Sequence, residues 1–144
     1  MLCVGLLAVA FVSLGTGSVP APARTAVQSA RPSEKESRTP AQQKIGSQLL
    51  YEIYRLRGEA REKGVPEGAT LVRIDAKKRA LVDVRADVTP ALEKKLTTLG
   101  AAIVSTSREY HSIVAWVPLL ALERIAADRT VTAIGMAAQA KTAK

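Results

Sequence analysis

The chain has 144 residues, one domain's worth, with 47% hydrophobic and 3% aromatic side chains and a net charge of +8. Its single cysteine, Cys3, lies in an apolar N-terminal run, so once that run is removed the chain offers no disulfide, no thiolate metal site and no cysteine nucleophile. The cationic excess is spread out: five basic and two acidic residues over 24–44, four and three over 45–64, and twelve and eight over 65–144. Such a spread permits weak attraction to acidic surfaces, but it makes no patch for nucleic acid.

Residues 1–23 carry no charge, begin with an apolar run as far as Leu14, and end in Ala21-Pro22-Ala23. Small residues at the two positions a signal peptidase reads point to a secretory leader cleaved after Ala23, although the usual Lys or Arg near the start is missing. The run is shorter than the roughly 20 apolar residues a spanning helix needs, so stable membrane insertion is not expected. The expected destination is secreted or periplasmic. Residues 24–44, rich in Ala, Pro, Ser, Thr, Arg and Gln, read as a disordered linker with almost nothing to bury.

The segment 45–69 reads as an amphipathic helix and its connection. Leu49, Ile53, Leu56 and Ala60 recur four, three and four apart, and Gly64-Val65-Pro66 supplies the stop. Residues 70–75 read as a short strand and 75–78 as a turn. From Arg79 the side chains alternate, with Ala80, Val82, Val84 and Ala86 on one side and Leu81, Asp83 and Arg85 on the other. Thr89 caps a helix with Pro90 at its first position, Leu92, Leu96 and Leu99 as its stripe and Gly100 as its stop. A strand over 101–107, a polar reversal over 108–112, a strand over 113–117, a helix over 119–127 with Leu122, Ile125 and Ala126 inward, and a strand over 131–136 complete the order.

The fold expected over 70–136 is therefore α+β. From Arg79 onward it is a βαββαβ, ferredoxin-like antiparallel sheet with two helices on one face, preceded by the amphipathic helix and the short strand. Such a sheet leaves its second face open. Val114 and Trp116 fall on the side of their strand opposite Ile113, Ala115 and Val117, and both sides are apolar. One side packs on the helices. The other waits for the helix from Ile45, for a partner, or for both.

Catalytic machinery is not expected. His111 is the only histidine, and Ser105, Ser107 and Ser112 lie near it in sequence without a nucleophile-elbow glycine pattern. No paired His, EF-hand spacing or phosphate-cradling glycine run occurs, so no metal or cofactor is expected. Trp116 alone makes no base-stacking platform.

The residues from Arg79 to Lys144 resemble the inhibitor-type propeptides of subtilisin-like serine proteases. Ala80-Leu81-Val82-Asp83-Val84-Arg85 is similar to that family's first strand, and Leu99-Gly100-Ala101-Ala102-Ile103-Val104 to its helix end, glycine and second strand. The run from Tyr110 to Val117 resembles its aromatic-led third strand, Leu120 to Asp128 its second helix with the acidic residue after it, and Val131-Thr132-Ala133-Ile134 its last strand. The chain departs from the family at Arg129, where Pro is frequent, and at Gly135, Met136 and Ala137, where acidic residues are frequent.

The resemblance implies a non-catalytic domain that assists folding of a subtilisin-like catalytic domain, in cis or in trans, and then inhibits it. This chain would be a truncated or stand-alone form. The sheet face with Val114 and Trp116 would dock on the enzyme. The tail of Ala137, Ala138, Gln139, Ala140, Lys141, Thr142, Ala143 and Lys144 would lie in the substrate cleft. The alternative is a small-molecule-binding or protein-interaction domain of the same topology that works as a dimer.

Overall fold

The computed structural model describes residues 33–138. The leader expected over 1–23 and the linker as far as Pro32 lie outside the described residues.

Residues 33–44 are not a structureless linker. Pro40–Gln43 forms helix α1, where the Thr39 side chain accepts from the Gln42 N–H and the Gln42 side chain accepts from the Thr39 N–H. Arg38 pairs with Glu34 through two contacts of 2.7 Å and donates to Ser47 Oγ at 3.0 Å. Gln42 Nε2 donates to Glu123 Oε1 at 2.7 Å, and Lys44 Nζ donates to the Asp128 and Val131 carbonyls at 3.1 and 2.7 Å. Composition predicts disorder here because nothing apolar is available to bury. The segment is held instead by polar contacts whose partners lie more than eighty residues away in sequence.

Helix α2 is Ser47–Arg57, and it buries Leu49, Leu50, Ile53 and Tyr54. It ends earlier than the apolar spacing predicts. Gly58 takes the left-handed conformation (φ 76°), and its N–H closes onto the Tyr54 and Arg55 carbonyls. Leu56, inside the helix but off its buried side, is 42% exposed, and Ala60 lies beyond the helix. Each fully buried side chain contributes about 1.5–3 kcal/mol of transfer free energy.

The predicted strand over 70–75 is reduced to one antiparallel bridge, Ile74 with Ala80, tied by Asp75 N to Arg79 O (2.9 Å) and Leu81 N to Arg73 O (3.1 Å).

Four strands follow: β1 Arg79–Ala86, β2 Ala102–Ser107, β3 Ser112–Pro118 and β4 Val131–Met136. They form one antiparallel open sheet in the order β2-β3-β1-β4. Helix α3 (Pro90–Thr98) starts at Thr89, whose Oγ1 accepts from Leu92 N, and is followed by Gly100 at φ 87°. A 3-10 turn (Leu119–Ala121) leads into helix α4 (Leu122–Ala126).

Ala80, Val82, Val84 and Ala86 of β1 and Ile113, Ala115 and Val117 of β3 are all 2% exposed or less. They share one core with Leu92 and Leu96 of α3 and with Leu122, Ile125 and Ala126 of α4, as the alternation and the helix stripes predict. The α2 residues belong to that same core. The helical side of the sheet thus carries three core-forming helices where two were expected. Residues 44–46 hold α2 there by pairing with the outer edge of β4, where Ile45 bridges Ile134.

Candidate functional site

The opposite face of the sheet is covered by none of these helices. Register places Leu81 across from Trp116, Asp83 across from Val114 and Arg85 across from Ser112. Leu81, Val114 and Trp116 are each half-buried and none belongs to the core. On the neighbouring strand, the pairing of β2 with β3 shifts between Ile103 and Ser105, and Val104 is left as the extra residue of a bulge, 60% exposed.

Leu81, Val104, Val114 and Trp116 line a hollow of about 450 Å³, with Arg73 and the first tail residues Ala137 and Ala138 at its margin. The Arg73 guanidinium lies 5.7 Å from the Trp116 ring centroid, within cation–π range. Ala137 N donates to the Leu81 carbonyl at 3.3 Å, so the chain leaves β4 beside this hollow. The remaining tail residues expected to enter a cleft, Gln139, Ala140, Lys141, Thr142, Ala143 and Lys144, lie outside the described residues.

The polar end of the face is self-satisfied. Arg85 Nε pairs with Asp83 Oδ2 at 3.0 Å, Ser112 Oγ donates to Asp83 Oδ1 at 2.5 Å, and Arg85 donates to the Tyr110 carbonyl at 3.2 Å. Arg73 enters none of the ion pairs among the described residues. Only half of the face is therefore apolar, and its one uncompensated charge is positive.

His111 sits in the β2–β3 reversal at φ 49°, exposed, with Nδ1 3.4 Å from Asp87 Oδ1. Ser112 is committed to Asp83, and Ser105 and His111 are exposed. The fold brings Asp87 near His111, but among the described residues no serine hydroxyl is hydrogen-bonded to the imidazole, so no serine–histidine–aspartate relay is assembled.

Two ion pairs brace the helical side. Asp128 accepts from Lys95 Nζ at 2.7 Å and from the Thr130 N–H and hydroxyl at 3.0 and 2.8 Å. The Lys95 ammonium first, then Thr130, holds the Asp128 carboxyl far below the usual carboxylate range. Glu123 is held low by Arg57 and, less strongly, by Gln42, against the opposing effect of burial.

Strand alternation in the sequence puts Val114 and Trp116 on one side of β3 and Leu81 on one side of β1, whereas nothing in it points to Arg73 or Val104. The cross-strand register brings Leu81 in, whereas Arg73 and Val104 arrive through a loop and a bulge that alternation does not signal.

Among the described residues no helix is long and apolar enough to cross a membrane. Comparison with protein-family models, with curated proteins and with solved structures finds nothing that matches this chain.

Proposed function

We propose that this chain is an exported, propeptide-like domain of ferredoxin-like topology that assists folding of a subtilisin-like serine protease and inhibits it. The sheet order β2-β3-β1-β4, laid over the βαββαβ order of the chain from Arg79, supports the topology. The observation that carries the functional reading is the uncovered sheet face. Leu81, Val114 and Trp116 are in register on it, and β4 releases the tail at its margin. A face of this kind docks on a partner surface, and an extended tail adds backbone hydrogen bonds in a cleft by strand addition.

The departure at Gly135, Met136 and Ala137, where acidic residues are frequent, removes a charge-assisted contact to the enzyme, so inhibition is expected to be moderate. The test is inhibition of a subtilisin-like protease by the purified mature domain, and assistance of its refolding. A domain that does neither at about micromolar concentration contradicts the reading.

A second reading has one observation of its own. Among the described residues the outer edge of β2 has no partner strand, and Ala102 to Thr106 are all exposed without a charged side chain to blunt the edge. That edge suits pairing between two copies in a dimeric interaction domain. A monomer by sedimentation at working concentration contradicts it.

A further inference from the structure

We infer that the surface docking on the open face presents an apolar side chain flanked by a carboxylate, and that Arg73 is the residue selecting it. This rests on the docking role proposed above and names the chemistry of the partner. The hollow combines the apolar side chains of Leu81, Val104, Val114 and Trp116 with polar lining to which Arg73 contributes, and at about 450 Å³ it has room for one or two side chains. The Arg73 guanidinium lies over the Trp116 ring at its rim. Stacked on an aromatic ring, the guanidinium keeps its edge donors free for a planar acceptor, and a carboxylate meets that geometry in a bidentate pair.

No carboxylate on the described surface answers it. Asp75 is paired with Arg79, and Asp83 with Arg85 and Ser112. The carboxylate that would pair with Arg73 is one that the partner brings. On docking, Arg73 loses water and gains an ion pair in a partly apolar setting, where such a pair contributes more to partner choice than to raw affinity.

The test uses the mature domain and a subtilisin-like catalytic domain whose active site is blocked by a small covalent inhibitor, so that only sheet docking is read. Affinity is measured at low and moderate salt for the parent and for Arg73→Lys, Arg73→Ala and Arg73→Glu. The Arg73 backbone carbonyl keeps its contact with Leu81 N in every variant, and a melting curve checks that each is folded. The expected result is a loss of about tenfold or more for Arg73→Glu, a smaller loss for Arg73→Ala, partial retention for Arg73→Lys, and a salt dependence that weakens once the cation is gone. A parent that binds, with Arg73→Glu binding equally well at all salt concentrations, overturns the inference and leaves the docking role standing. A parent that binds nothing overturns both. A parent that self-associates, with Arg73→Glu dissociating the dimer, assigns the face to a second copy and overturns the inference as stated.

Discussion

Ile45 lies alongside Ile134 as a parallel bridge, with Gly46 N–H donating to the Ile134 carbonyl at 2.9 Å and Ile134 N–H donating to the Lys44 carbonyl at 2.7 Å. These contacts close part of the outer edge of β4 and direct α2 into the core. With α2 on the helical side, no helix among the described residues covers the other face of the sheet. The segment that precedes the βαββαβ order thus shares one core with it.

Ile53→Ala in α2 is therefore expected to cost as much as Leu96→Ala in α3 or Ile125→Ala in α4. All three side chains are fully buried in one core, and each truncation should cost about 2–5 kcal/mol. Denaturant unfolding checks this. A parent-like midpoint for Ile53→Ala alone would make α2 an accessory.

Gly58→Ala isolates a backbone effect. An added Cβ would meet nothing within 4 Å, so the cost is that of holding alanine at φ 76°. Destabilisation of about 1 kcal/mol is expected, measurable as a lowered melting temperature without a change in cooperativity.

The Lys95–Asp128–Thr130 cluster predicts an acid limb. The Asp128 carboxyl is held below its unfolded value of about 3.9. Its contribution is thus fully present above that value and is lost as pH falls through the folded one. Glu123, held low by Arg57, acts in the same direction. With Lys95 42% exposed, the ion pair itself adds no more than about 1 kcal/mol. The stability gap between the parent and Asp128→Asn should be constant from about pH 5 to 8 and narrow below about pH 4. A gap that widens on acidification would contradict the assignment.

Much of the sheet is legible in the sequence because each signal is local. The alternation from Ala80 to Ala86, the Thr89-Pro90 start and Gly100 stop of α3, and the bounds of β4 all follow from nearest neighbours. What was not legible depends on distant partners. The apolar stripe through Ala60 outweighed Gly58, and the true helix end came from that glycine. Residues 33–44 owe their order to Glu123, Asp128 and Val131. Within the site, Val114 and Trp116 could be read from strand alternation. Arg73 could not, because a loop cation finds its aromatic ring only once β1 and β3 have paired.

Trp116→Ala should separate docking from folding. The side chain is half-buried and outside the core, so the melting temperature should fall less than in Leu96→Ala. Inhibition of a subtilisin-like protease should weaken severalfold or more, as for a central aromatic anchor. Removing residues 137–144 should instead abolish blockage of the active site while leaving the fold and part of the docking affinity. Equal inhibition by parent and Trp116→Ala would exclude the open face as the contact surface.

The most direct measurement is a chemical-shift map of the isotope-labelled mature domain titrated with the catalytic domain of a subtilisin-like protease. The expected result is perturbation concentrated at Arg73, Leu81, Val104, Val114, Trp116 and Ala137, with Lys94 and Arg124 on the helical side unmoved. Shifts confined to the helical side, or none at saturating protease, would contradict docking through the open face of the sheet.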